Sequence, residues 1–113
     1  MNNDYQELTK SLSSSLKKMH QEMPEVMQGF SNLVKVSSQD GALSKKTKEL
    51  ITLGIAVANR CEGCIGFHVK ALIELKVTRQ EILETLAVAI YMGGGPSVMY
   101  AAETLKAFEE LAK

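Results

Sequence analysis

Tryptophan is missing from this chain, and aromatic residues of any kind make up only 5% of its 113 positions. A core must therefore be assembled mainly from the Leu, Ile, Val, Ala and Met that dominate the 45% hydrophobic fraction. Net charge is absent too. Thirteen basic side chains balance thirteen acidic ones, which leaves nothing to draw the chain to nucleic acid or an anionic membrane surface. No apolar run reaches the roughly 18 residues that a membrane span needs. Met1-Asn2-Asn3-Asp4 is polar and offers no hydrophobic region for a secretory leader. These absences point to a cytoplasmic protein. Only two cysteines are present, and in a reducing compartment a lone Cys-x-x-Cys belongs to redox or metal chemistry rather than to structural stapling. There is no clear internal repeat and no low-complexity tract, so residues 1–113 read as a single domain with one modest core.

The apolar residues recur at helical spacing along most of the chain. Residues 4–22 form an amphipathic helix on Leu8, Leu12, Leu16, Met19 and Met23. Pro24 suits the first turn of a second helix carrying Val26, Met27, Phe30, Leu33 and Val34. Ser37-Ser38-Gln39-Asp40-Gly41 is a turn, and Ser44 can cap a third helix running toward Asn59. A fourth helix over 61–76 follows. Thr78-Arg79-Gln80-Glu81 has the form of a capping box and opens a fifth helix, which Gly93-Gly94-Gly95 breaks before Pro96 starts a sixth. The expected fold is all-α, with about six helices.

One stretch permits another reading. Ile51, Leu53, Ile55 and Val57 alternate with smaller residues, as a strand leading into Cys-x-x-Cys would in a thioredoxin-like fold. No other segment supplies partner strands, and a solitary strand leaves its backbone unpaired. The cysteine pair also lacks an intervening proline and a preceding tryptophan.

The chemistry gathers in eight positions: Cys61-Glu62-Gly63-Cys64 and then His68. On a helix, Cys61, Cys64 and His68 fall within an arc of about 60°. A dithiol with an imidazole one turn below it is a device for reversible thiol chemistry, because the imidazole can take the proton that keeps a thiol unreactive. Amide N–H groups at the helix start would add to the stabilisation of a thiolate. Glu49 is the candidate to orient His68. An unbroken helix would hold Glu49 about 18 Å from Cys61, so the relay requires the chain to turn back near Asn59-Arg60. Two other readings of the same residues stand beside this one. Cys61, Cys64, His68 and Glu49 could form part of a zinc site, or the cysteines could be buried and inert. A c-type haem is excluded, since Ile65 rather than His follows Cys64. His20 reads as solvated, Met19, Met23 and Met27 as core or interface filler, and Glu62, Lys45, Lys46 and Lys48 as solvated faces.

Glu49, eleven intervening residues, and then Cys61-x-x-Cys64-x-x-x-His68 resemble the signature of the alkylhydroperoxidase D-like (AhpD-like) proteins of the carboxymuconolactone decarboxylase superfamily. The resemblance covers a motif-bearing core at about 43–110, with N-terminal helices at 4–38 outside it. It includes Ala71-Leu72-Ile73-Glu74-Leu75-Lys76-Val77-Thr78-Arg79-Gln80-Glu81-Ile82, with Lys76 where a glycine is usual.

The resemblance implies an AhpD-like helical fold, oligomeric assembly and a thiol peroxidase of peroxiredoxin type. Cys64 would attack a hydroperoxide, Cys61 would resolve the resulting sulfenic acid as a disulfide, and Glu49 and His68 would relay the proton. Neither a cofactor nor a metal is required. The implied partners are a hydroperoxide substrate and a thioredoxin-like or lipoyl-bearing protein reductant, with no nucleic acid and no membrane. Assembly would be a homo-oligomer, with a hexamer favoured. Gly63 stands where hydroperoxidases of the family carry a second histidine, which removes one relay member. A carboxymuconolactone-type decarboxylase and a non-enzymatic metal-binding or redox-sensing module are the alternatives.

Overall fold

The computed structural model describes residues 4–113; the polar Met1-Asn2-Asn3 segment, on which the expectation of no leader rests, lies outside them. Six α-helices follow one another: α1 (Tyr5–Glu22), α2 (Pro24–Ser37), α3 (Lys45–Ala58), α4 (Glu62–Glu74), α5 (Arg79–Gly93) and α6 (Gly95–Leu111). No strand occurs among the described residues, and the alternating Ile51–Val57 stretch is the second half of α3.

Helix starts follow the local chemistry. The Asp4 carboxylate accepts the Glu7 N–H at 3.0 Å and the Ser44 hydroxyl accepts the Thr47 N–H at 3.1 Å. Pro24 takes the first position of α2, where its missing N–H goes unneeded. The Thr78–Glu81 capping box is complete: Glu81 N–H donates to the threonine hydroxyl at 3.1 Å, and Thr78 N–H donates to the glutamate at 2.9 Å. Lys46 pairs with the same glutamate at 2.8 Å. The Lys46 hydrogen bond, with the Thr78 amide second, holds the Glu81 carboxyl below its ordinary pKa.

Two helices end in the same backbone device. At the close of α3, Arg60 N–H donates to Val57 C=O and Cys61 N–H to Ala56 C=O. At the close of α4, Lys76 N–H donates to Ile73 C=O and Val77 N–H to Leu72 C=O. This is the Schellman pattern, which needs a left-handed residue one place beyond the cap. Arg60 (φ 57°) and Lys76 (φ 63°) supply it. The turn-back expected at Asn59-Arg60 is thus made by Arg60, while Asn59 keeps a right-handed conformation (φ −83°).

The core lies among α3, α4, α5 and α6, with Leu53, Val57, Ile65, Val69, Leu72 and Ile82 fully buried. Each such aliphatic side chain contributes about 1.5–3 kcal/mol on leaving water. Helix α1 crosses α4 and α6, anchored by Tyr5, also fully buried. The Tyr5 N–H donates to Glu110 at 2.7 Å and its hydroxyl to Glu103 at 3.2 Å. Burial, followed by the nearby Glu103 carboxylate, raises the pKa of this phenol. Helix α2 differs from the others. Its backbone approaches α1 alone, and none of its residues is buried.

Candidate active site

The Schellman turn at Arg60 sets the direction in which α4 leaves α3. Cys61 is at once the residue after that turn and the N-cap of α4, with extended backbone (φ −103°, ψ 94°). It therefore sits one step before the helix rather than within its first turn. Its Sγ accepts the Cys64 N–H at 3.2 Å, filling the place usually taken by a serine or aspartate oxygen. The two sulfurs are joined as a disulfide, with Cα atoms 5.2 Å apart, and both cysteines are half-buried.

His68 lies one turn beyond Cys64 in α4, about 6 Å along the axis. Its Nδ1 is 2.9 Å from Glu49 Oε1 on α3. The glutamate side chain is 12% exposed and the histidine 30%, so the pair is shielded on the α3 side and reachable at the imidazole. A carboxylate can only accept, which places a hydrogen on Nδ1 and leaves Nε2 as the basic nitrogen of a neutral ring. No hydrogen bond joins His68 to either sulfur among the described residues. The structure thus brings Glu49 to His68 and Cys61 to Cys64, and sets the two pairs a helical turn apart.

Glu49 and His68 line a cleft of about 270 Å³. Phe30, Leu33 and Val34 of α2 form its apolar side, and Lys48 and Thr52 of α3 its polar side. Lys48 Nζ donates to Gln39 C=O at 2.6 Å, and the Thr52 hydroxyl donates to Lys48 C=O at 2.8 Å. His68 is the residue common to this cleft and to the stretch of α4 that bears Cys64. The sequence pattern did not mark the α2 wall as part of a site. Phe30, Leu33, Val34 and Ser37 have the spacing of any amphipathic helix, and only tertiary placement distinguishes a cleft wall from a core face. His20 and Met19 are exposed on α1, Met23 is exposed between α1 and α2, and Met27 is half-buried.

Gly63 has a separate job. A Cβ built on it would meet Leu12 Cδ1 at 2.7 Å, and one on Gly66 would meet Thr9 Cγ2 at 2.7 Å and Tyr5 Cδ1 at 3.4 Å. The two glycines form a notch in which α1 lies. The position where related hydroperoxidases place a second histidine is here an interhelical contact.

The chain and its fold have counterparts among known proteins. The model of the carboxymuconolactone decarboxylase family matches residues 24–107, reaching back across α2 beyond the stretch recognised from the cysteine motif. The chain is similar over 99% of its length to the whole of a crystal structure of a carboxymuconolactone decarboxylase family protein from Legionella pneumophila, with 55% identity and a TM-score of 0.96. A family protein from Thermotoga maritima, for which a part in an antioxidative response has been suggested, matches at 26% identity and a TM-score of 0.82, covering 91% of this chain and 88% of that one. Alkyl hydroperoxide reductase AhpD from Mycobacteroides abscessus is 35% identical over 52 residues, 46% of this chain and 30% of that protein. With its six helices, its cysteine pair heading α4 and these relatives, the chain belongs to the carboxymuconolactone decarboxylase family and is AhpD-like within it.

Proposed function

We propose that this protein is a thiol-dependent peroxidase and disulfide oxidoreductase, an alkylhydroperoxidase-type enzyme that cycles between the Cys61/Cys64 dithiol and its disulfide. The observation that carries the reading is the Cys61–Cys64 bond at the head of α4, one turn from a histidine held by Glu49. In the dithiol form, His68 Nε2 takes the Cys64 proton and the thiolate attacks the terminal oxygen of a hydroperoxide. The O–O bond breaks, Cys64 becomes a sulfenic acid, and the departing alkoxide recovers the proton from His68 as an alcohol. The Cys61 thiol then attacks the sulfenic sulfur, water leaves, and the disulfide forms. Two electrons pass from the thiols to the peroxide. A dithiol on a thioredoxin-like or lipoyl-bearing protein restores them by exchange through a mixed disulfide.

The same reading places the enzyme in the cytoplasm, where such reductants are found, as a homo-oligomer with a hexamer favoured by the AhpD-like resemblance. The cleft beside His68 would receive the peroxide, with Phe30, Leu33 and Val34 against its organic body. The deciding experiment is a titration of the reduced protein with cumene hydroperoxide, followed by a count of free thiols. Loss of two thiols per chain, restored by dithiothreitol, supports the cycle; retention of both thiols overturns it. Turnover of a lactone acid that survives Cys61→Ser and Cys64→Ser would instead assign the chain to decarboxylase chemistry.

A further inference from the structure

We propose that the substrate is a small amphipathic hydroperoxide with a carboxylate at the end remote from its peroxide, and that Lys48, helped by Ser37, receives that carboxylate. The inference rests on the peroxidase reading above and specifies the substrate class of the same cleft.

The cleft beside His68 has different chemistry at its two ends. Lys48 and Glu49 are neighbours on α3, so their side chains leave the helix about 100° apart. Glu49 reaches α4, where it holds His68. Lys48 reaches the α2–α3 connection, where its Nζ donates to Gln39 C=O. Phe30, Leu33 and Val34 supply the apolar wall of this cleft. A molecule lying along that wall meets an imidazole at one end and an ammonium at the other. Apolar pockets with a few separated polar groups fix the orientation of what they bind.

Lys48 is the anomaly that calls for a ligand. It is half-buried, yet it makes no ion pair among the described residues, whereas Lys46 pairs with Glu81 at 2.8 Å. Glu49, the carboxylate of the cleft lining, is only 12% exposed and is engaged by His68. An ammonium carries three donors, and Gln39 C=O takes one of them. A partly desolvated cation met only by a neutral carbonyl is under-compensated, and an anion supplies the stronger, charge-assisted bond.

Ser37 adds a second donor at the same end. It is the last residue of α2 and lines the cleft. Its hydroxyl forms no hydrogen bond among the described residues, while the Ser38 hydroxyl next to it donates to Val34 C=O at 2.7 Å. The bond from Lys48 to Gln39, at 2.6 Å, also keeps the ammonium at the cleft rather than free in solvent. Less side-chain freedom is then lost when an anion binds.

Size narrows the class further. The volume of about 270 Å³ lies just under the range of about 300–1,000 Å³ typical of sites for drug-sized ligands. An aryl or short aliphatic body fills it, and the long acyl chains of a membrane lipid do not fit.

Steady-state turnover of cumene hydroperoxide and of its para-carboxylate derivative tests the proposal, with dithiothreitol as reductant. The two share peroxide and ring and differ in the anion. The wild type should favour the carboxylate about tenfold in kcat/KM, the low end for a hydrogen bond to a charged group, and the preference should shrink at high salt. Lys48→Gln should bring the ratio close to unity, Lys48→Arg should restore most of it, and Ser37→Ala should lower it about twofold. A ratio taken within one protein separates recognition from loop clamping, because a disturbed loop slows both substrates alike. The wild-type ratio is decisive even where a variant fails to fold. Equal kcat/KM for the two substrates in the wild type, or a preference that survives in Lys48→Gln, overturns this inference and leaves the peroxidase reading standing. Turnover of neither hydroperoxide overturns that reading and this inference with it.

Discussion

His68 on α4 and Glu49 on α3 are nineteen positions apart in sequence and 2.9 Å apart in space. The pairing is possible because Arg60 reverses the chain between their helices, and it fixes which face of the imidazole looks away from α3. The glutamate orients the ring and would stabilise it when it carries the proton from Cys64.

Glu49→Gln keeps the size and one hydrogen-bonding oxygen of the side chain but removes the charge that favours protonated His68. Hydroperoxide reduction should fall about 10²-fold, the low end for an acid–base relay. Steady-state turnover with cumene hydroperoxide, beside an unaltered circular dichroism spectrum, checks this. An unchanged rate in the folded variant removes Glu49 from the relay.

The two thiols should differ in reactivity once reduced. Cys61 gains the Cys64 amide and the start of α4, which stabilise a thiolate without accepting its proton. Cys64 has His68 one turn away in the same helix, and in the proposed cycle the imidazole would accept its proton. Iodoacetamide at mildly acidic pH should therefore label Cys64 before Cys61, with the sites read by peptide mass spectrometry. Preferential labelling of Cys61 would exchange the attacking and resolving roles.

Much of this architecture was legible because it is local. The Ser44 and Thr78–Glu81 caps, Pro24 and the triple-glycine break each set a helix boundary through residues within a few positions of one another. The Glu49–His68 pairing was legible for another reason: a carboxylate would orient the histidine of a thiol–imidazole pair, and Glu49 stands where α3 turns from Lys-rich to almost wholly apolar. The α2 wall was not legible. An apolar stripe states that a helix face avoids water, while what it faces depends on how α1 holds α2 away from the bundle. Nor could the sequence show that Gly63 lies under Leu12, since that contact joins residues fifty-one positions apart.

The glycine notch under α1 should discriminate between two similar substitutions. In Gly63→Ala the new methyl meets the end of Leu12, a flexible side chain that can turn aside. In Gly66→Ala it meets Thr9, which is buried, β-branched and bonded through its hydroxyl to Tyr5 C=O at 2.9 Å. Overpacking against so fixed a neighbour costs about 1–3 kcal/mol. Urea unfolding should place Gly66→Ala well below Gly63→Ala in midpoint. Equal midpoints would mean that α1 adjusts as a body and the notch sets nothing.

Lys76 should be the opposite case, a position where substitution strengthens the fold. It is exposed and holds φ at 63° to close α4, in the place where AhpD-like chains usually have glycine. An L-residue with a side chain loses about 1–2 kcal/mol in that conformation, while glycine there sacrifices roughly 0.5–1 kcal/mol of extra backbone freedom on folding. The balance favours Lys76→Gly by about 0.5–1 kcal/mol. Its carbonyl, which accepts from Lys46 Nζ at 3.4 Å, is retained in the variant, and the two Schellman hydrogen bonds are backbone bonds that glycine preserves. Thermal and urea unfolding should therefore both shift upward with an unchanged denaturant slope. Lys76→Ala, which keeps a Cβ, should give no such gain. A gain of the same size from alanine would trace the effect to loss of the lysine charge rather than to relief of the left-handed backbone.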